Sequence, residues 1–374
     1  MTSIPAGLLP EGLSDRLPPQ AEASARLIRN VLDTVASHGY TRVQTPLAEF
    51  EETLVSRLKS ARAQDLLRAV DPVSQRTLAI RPDITAQIGR IAVTRLKQAA
   101  RPLRLSYAGQ VIKLRANQLR PEREQSQVGA ELIGTDSVAA ATEIVSVAIE
   151  ALQAAGVTGI TVDFTLPDLV DQLAAGPMPL SAEEIEAVRG ELDAKDAGGL
   201  AALGAPAKPY LPLIEAAGPF HTALEKLEAI QSGGVLDSRI AALRAIARPI
   251  GWEVTLTLDP TERHGFEYQS WFGFSIFAEG FVGEIGRGGS YTIVHVDGRE
   301  EPAIGFSLYP DPLIDAGFGR VVLRRIFLPR EADEDSVRQL RAEGWQTVAA
   351  LSPEDDGAAL GCTHWLDGQD IRAY

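Results

Sequence analysis

The sequence predicts an α+β fold: a run of antiparallel strands flanked by helices and interrupted by a helical insertion. Three observations predict it. An amphipathic helix and a short strand open the chain. Strand patterns then follow one another between residues 252 and 308, with short Gly-rich turns that imply an antiparallel meander. The alternating βαβ rhythm of a nucleotide-binding Rossmann domain is missing, and no GxGxxG or GxxxxGK[ST] follows a strand. Gly286-Arg-Gly-Gly289 reads as tight-turn chemistry within the meander.

Each element has a local reason. Residues 19–38 place Leu27, Ile28, Val31, Leu32 and Val35 on one helical face, and Gly39 stops the helix. Tyr40 to Pro46 is a short strand ended by proline, and 50–60 reads as helix. Leu78-Ala-Ile80 is a strand, and Arg81-Pro82-Asp83 a turn. Asp83 is placed to cap a helix over 84–97. Two strands lie within 104–134, joined by a loop crowded with Arg, Gln and Glu. A long helix over 136–155 and a strand over 162–166 follow. Residues 167–247 turn rich in Ala, Leu, Glu and Gly, with helical periodicity and Gly/Pro breaks: the insertion. Strands resume at 252–258, 272–278, 281–285, 290–296 and 303–308. After Gly319, strands over 321–328, 345–351 and 363–366 and a helix over 334–343 form a small α/β module. The expected domains are therefore 1–319 and 320–374.

Composition narrows the function. In 374 residues, 36 basic side chains face 50 acidic ones, a net charge of −14, which argues against a nucleic-acid partner. One cysteine, Cys362, excludes an internal disulfide and a cysteine-built metal site. Five histidines without HxxxH or HExxH spacing suggest no metal. The apolar stretch 138–162 carries Glu143 and Glu150 and breaks at Gly156, too polar to span a bilayer. The opening residues lack the basic region and apolar run of a signal peptide, so a cytoplasmic protein is expected.

The most informative segment is the second strand of 104–134. Gln125, Gln127, Gly129 and Glu131 fall on one face, and Val128, Ala130 and Leu132 on the other. This is the pattern of a half-buried strand with its polar side on a cleft. Gly129 would leave a gap between Gln127 and Glu131 for a small ligand, its cation on the carboxylate. An ordinary solvated sheet face has the same pattern.

Several segments together resemble the catalytic core of histidyl-tRNA synthetase, a class II aminoacyl-tRNA synthetase. Gly39-Tyr40 with Thr45-Pro46 and Glu49 is similar to motif 1, which in that family builds the dimer interface. Leu78-Ala-Ile-Arg-Pro-Asp83-Ile-Thr85-Ala86 is similar to the LRPEGTA segment. Motif 2 ends in Gln127-x-Gly129-x-Glu131. His264-Gly-Phe-Glu-Tyr268 looks like the histidine-binding RGLDYY, Gly288-Gly-Ser-Tyr291 like GGRY, and Pro302-Ala-Ile-Gly-Phe306 like the start of motif 3. The similarity covers roughly residues 1–315, with all motifs in family order. It implies a class II synthetase-like antiparallel sheet flanked by helices.

The departures sort by chemistry. Lys113 and Arg115 stand where motif 2 has arginine and glutamate. Tyr309-Pro-Asp-Pro312 replaces the GLER of motif 3, putting proline in place of the adenine-stacking arginine. His264 replaces an arginine and Gln269 a tyrosine. Arginine forks onto phosphates and stacks on bases in ways lysine does poorly, so the adenylation machinery is lost. The amino-acid pocket is better kept. By resemblance Glu131 pairs an α-ammonium, Gln127 and Thr85 orient the ligand, Asp83 supplies a second carboxylate, and Tyr268 and Tyr291 flank a ring. Asp83 alone could be a helix cap, Thr85 could bond within its own turn, and the tyrosines could be core aromatics. Lys113 and Arg115 are either a vestigial anion site or a solvated, ion-paired pair.

A synthetase core without aminoacylation residues, with a tail too short for a full anticodon-binding domain, resembles the regulatory subunits of ATP phosphoribosyltransferase. The resemblance implies no catalytic residues and no cofactor. It implies a hetero-oligomer with the short-form catalytic subunit of the first enzyme of histidine biosynthesis, activation of that partner, and feedback by histidine as allosteric ligand. Motif 1 favours a homodimer within that assembly, and 320–374 would be a reduced anticodon-binding-like domain. A divergent amino-acid-adenylating enzyme and a stand-alone amino-acid sensor are the alternatives.

Overall fold

The computed structural model describes residues 7–55, 66–114, 121–263 and 269–374. They form two compact units, residues 1–319 and 320–374. In the first, α1 (Gln20–Ser37) buries Ala23, Leu27, Val31, Leu32 and Val35, the stripe its periodicity requires. Gly39 ends it with φ +84°, a left-handed conformation glycine adopts without strain. Then come β1 (Thr41–Arg42), β2 (Ala48–Phe50), α2 (Glu51–Val55), β3 (Leu67–Val70), β4 (Thr77–Ile80), α3 (Thr85–Thr94), β5 (Leu103–Ile112) and β6 (Glu124–Ile133). Helix α4 (Val138–Ala154) starts where the Ser137 side chain accepts the Ala140 N–H, a cap worth about 0.5–2 kcal/mol. After β7 (Ile160–Thr165), the stretch 169–247 holds α5 (Leu169–Ala174), α6 (Ala182–Asp193), α7 (Ala197–Ala202), α8 (Leu211–Glu215), the two-residue β8 (Gly218–Pro219), α9 (Phe220–Glu228) and α10 (Asp237–Ala247). The unit closes with β9 (Thr255–Leu258), β10 (Gln269–Ala278), β11 (Gly286–Val294), β12 (Glu300–Leu308) and α11 (Asp311–Asp315).

Nine strands form one sheet in the order β1-β5-β6-β12-β11-β10-β7-β9-β8. The six from β5 to β7 are antiparallel, as expected. The sheet as a whole is mixed, because β1 runs parallel to β5 and β9 parallel to β7. One face packs on α1, α4 and the insertion helices through Val128, Ala130, Leu132, Ile144 and Ala148. On the other, Ile84, Ile88 and Val93 of the α3 region meet Tyr107, Ile133 and Tyr291. Of a second, three-stranded sheet, β2-β4-β3, the sequence reading had only β4; β2 and β3 are short and carry too little periodicity.

Two local expectations are corrected. Residues 281–285 are not a strand but part of the connection between β10 and β11. Gly286-Arg-Gly-Gly289 is not a turn but the start of β11. A Cβ on Gly288 would overlap the Gly305 carbonyl and the Phe274 ring, so glycine serves close packing of sheet and core here.

The second unit has a four-stranded sheet, β14-β13-β15-β16, from β13 (Arg325–Leu328), β14 (Gln346–Ala349), β15 (His364–Asp367) and β16 (Asp370–Ala373), with α12 (Glu334–Ala342). Asp333 caps α12 by accepting the Ser336 N–H. Ile326, Leu328, Val337, Leu340 and Leu366 make its core, small for independent stability.

Gly288→Ala should cost about 1–3 kcal/mol through overpacking. Gly190→Ala, on an open stretch of α6 with nothing within 4 Å of the new methyl, should gain about 0.5–1 kcal/mol. Urea unfolding of both variants checks the contrast.

Candidate functional site

The site is built by register. Gly129 of β6 pairs with Tyr107 of β5 on one side and Ser307 of β12 on the other. Two positions on, Glu131 pairs with Leu105 and Gly305. The alternation read from the sequence therefore holds. Its polar face, however, is not a solvated cleft: Gln127 is 0 % and Glu131 1 % exposed. The gap expected over Gly129 is filled as well, since a Cβ there would overlap the Tyr107 phenol and the Phe306 carbonyl. Tyr107 drops into the space that glycine leaves.

A continuous hydrogen-bond network results. Gln127 Nε2 donates to Asp83 Oδ2 and to Ser307 Oγ, both at 2.7 Å, and its Oε1 accepts the Ile84 N–H at 3.0 Å. Asp83 Oδ1 accepts the Thr85 N–H at 2.7 Å, so Asp83 holds the first turn of α3 and faces Gln127 at once. Ser307 Oγ lies 2.9 Å from the Tyr107 hydroxyl, which donates to Glu131 Oε1 at 3.2 Å. Tyr291 OH donates to Glu131 Oε2 at 2.8 Å. Burial pushes the Glu131 carboxyl up to about 8; the Tyr291 hydrogen bond pulls the other way, and the nearby charge of Asp83 adds to the rise. Burial also raises Tyr107 well above the usual phenol range. The cavity left beside Glu131, lined by Thr85, Gly289, Tyr291 and Ser307 among others, is about 10 Å³, room for roughly one water.

A second, much larger cavity of about 890 Å³ lies where the resemblance places the lost nucleotide residues, with Tyr309 and Pro312 in its wall. Carboxylates line it: Asp15, Glu122, Glu124, Asp311 and Asp315, against Arg16. Asp311 accepts the Ser126 N–H at 2.8 Å and pairs with Arg16 at 2.9 Å, tying β6, α11 and the N-terminal segment together. A nucleotide triphosphate would meet like charge here.

The structure brings Asp83, Thr85, Gln127, Glu131 and Tyr291 into one network. Tyr291, expected at a ring-contact position, donates its hydroxyl to Glu131 and lines the small cavity beside it. Tyr268, His264 and Arg115 lie outside the described residues. Lys113 is exposed, its Nζ 6.0 Å from the Tyr309 ring centre. Sequence reasoning missed Tyr107 and Ser307; the only signal was Gly129, whose partners depend on register. It also missed Arg81. The Arg81 guanidinium donates to Gln110 O at 2.7 Å and Thr45 Oγ1 at 2.7 Å, and a Cβ on Gly109 would overlap it. Gln87 and Arg90 of α3 hold Glu49, each by hydrogen bonds to its carboxylate. The motif 1 residues Thr45 and Glu49 are thus locked to the segment that carries Asp83. Among the described residues, no group of His, Cys, Asp or Glu could hold a metal ion, and no helix is long and apolar enough to cross a membrane.

Fold and site together define a class II synthetase-like protein. The family model for histidyl-tRNA synthetase matches residues 12–313. An ATP phosphoribosyltransferase regulatory subunit from Rhodospirillum centenum is 44% identical over 374 residues, covering 97% of this chain and 95% of its own. A solved structure from Bacillus halodurans, described as an ATP phosphoribosyltransferase regulatory subunit/histidyl-tRNA synthetase, superposes with a TM-score of 0.81 at 23% identity, covering 96% of this chain and 97% of that one. The ATP phosphoribosyl transferase (HisG:HisZ) complex from Thermotoga maritima contains a chain with a TM-score of 0.58 at 15% identity, over 76% of this chain and 96% of that one. The chain belongs to the family of ATP phosphoribosyltransferase regulatory subunits, whose role is regulatory rather than catalytic.

A carboxyl held above its unfolded value stabilises the fold most below the unfolded pKa, and that contribution is lost as pH rises through about 8. Glu131→Gln keeps the shape and cannot ionise. Its melting temperature should fall less than the parent's between pH 5 and pH 8.5, a difference of a few kcal/mol in stability.

Proposed function

We propose that this chain is the non-catalytic regulatory partner of a short-form ATP phosphoribosyltransferase catalytic subunit, and that free histidine is its allosteric ligand. One observation carries the proposal: the cleft keeps a carboxylate suited to an ammonium, buried under tyrosine hydroxyls, while the neighbouring cavity is lined by acid where a nucleotide would need base. The names of the relatives support the regulatory role, and the Thermotoga maritima complex supports a catalytic-subunit partner.

In this reading the pocket of about 10 Å³ is the closed form. Histidine enters by exchanging the Tyr107 hydroxyl for its α-ammonium on Glu131, with Asp83 as second carboxylate and Gln127 and Thr85 as orienting groups. The displaced tyrosine lies on β5, the strand paired with β1, so occupancy of the pocket and packing at the sheet edge change together. Histidine shifts the assembly toward an inactive state only if the two states bind it differently; a coupling of about 1–3 kcal/mol suffices. A homodimer built through the motif 1 region, a reduced anticodon-binding-like role for 320–374, and residence in the cytoplasm complete the proposal.

Reconstitution with a short-form catalytic subunit tests it. The chain should raise the partner's activity, and histidine should reverse that. Glu131→Ala should assemble normally and lose histidine sensitivity. Full sensitivity in that variant would remove Glu131 from the site. ATP–pyrophosphate exchange with histidine should be absent; robust exchange would make the chain an adenylating enzyme. An ammonium needs the ionised carboxylate, so histidine affinity should rise with pH, by up to about tenfold per unit, and flatten near pH 8. Calorimetry between pH 6.5 and 8.5 would show it.

A further inference from the structure

A free amino acid is a zwitterion, so a pocket that recognises one needs a cation as well as a carboxylate. Among the described residues that line the cavity beside Glu131, Arg287 is the one cation and Glu131 the one anion. Register puts both on the same face of the sheet. Glu131 of β6 pairs with Gly305 of β12, and Gly305 with Gly289 of β11. Arg287 stands two positions before Gly289, opposite Ser307, and residues two apart on a strand share a face. The backbone between the two charges is therefore glycine. The Glu131 carboxylate lies over Gly305, where a Cβ would overlap it.

The guanidinium is aimed from the neighbouring strand. Ser275 of β10, paired with Arg287, donates to Glu284 Oε2 at 3.2 Å. Glu284 Oε1 accepts from Arg287 Nε at 2.7 Å and lies 2.5 Å from Nη2. That contact takes one edge of the fork. A guanidinium carries five donors, so a second carboxylate can be received without breaking the pair. The nearby negative charges are thus Asp83 on the Glu131 side and Glu284 beside Arg287. Other cations of the region are turned elsewhere: Arg81 donates to Gln110 O and Thr45 Oγ1, and Lys113 is exposed beside the Tyr309 ring.

We propose that Arg287 grips the α-carboxylate of the amino acid whose ammonium Glu131 holds, and so makes the pocket select an intact amino acid over the corresponding amine. The assignment rests on histidine being the ligand of the Glu131 pocket.

Calorimetry of the full chain with histidine and with histamine, which lacks the carboxylate, tests it. The parent should bind histidine about ten- to a hundredfold tighter than histamine, the span expected of a charge-assisted contact. Arg287→Met should lose that preference: histidine falls to the histamine level, while histamine keeps its parental affinity. Arg287→Lys should restore part of the preference, and Glu131→Gln should weaken both ligands. Circular dichroism checks folding, and Arg287→Gln carries the same test should the methionine variant not fold. Three results would each overturn the assignment while leaving histidine binding in place. They are a parent that does not distinguish the two ligands, a neutral Arg287 variant that keeps the parental preference, and one that weakens both ligands equally (a structural role only). A parent that binds neither ligand would remove the histidine reading itself, and this assignment with it.

Discussion

The carboxylate of Glu131 is the constraint around which this molecule is arranged. It sits on a central strand, excluded from water, and two tyrosines from different strands donate to it. A buried carboxyl with weak compensation takes up a proton rather than stand charged. The surrounding residues are fitted to that one group. Gly305 opposite it leaves no room for a methyl, and Gly129 two residues away makes space for Tyr107. Ser307 and Gln127 relay the network to Asp83 and so to the start of α3. A ligand that replaced one tyrosine donor would be felt along this chain, because the bonds share partners.

The two cavities divide the chemistry of the fold. A synthetase of this class must hold an amino acid and a nucleotide side by side. Here the cavity beside the Glu131 carboxylate has only the size of a water. The second cavity is wide and lined by carboxylates. Asp311, in the stretch that replaces motif 3, now locks Arg16 and the backbone of β6. These contacts hold the sheet, helix α11 and the N-terminal segment together.

Much of the sheet was readable because strand periodicity and turn chemistry are local. The alternation of β6, the stripe of α1 and the length of α4 needed no neighbours to be recognised. The misreadings share one cause. Gly286 to Gly289 looked like a turn because glycine permits one; the reason for those glycines is the Phe274 ring and the β12 backbone, distant in sequence. The polar face of β6 read as open to a cleft because Gln and Glu usually meet water. Its burial comes from Tyr107, Tyr291 and α3, which arrive from three separate segments.

By itself the sequence determined most element types, the polar face that carries Gln127 and Glu131, and the acidic balance of the chain, which depend on residue identity and short-range order alone. The grouping of Asp83 and Thr85 with that face and the loss of the nucleotide-binding arginines came from the resemblance to histidyl-tRNA synthetase. The tertiary structure decided that Glu131 is sealed and proton-hungry, that Tyr107 rather than empty space covers Gly129, and that scattered carboxylates converge on one cavity. Those outcomes depend on strand register and on the exclusion of water, which arise only once distant segments pack.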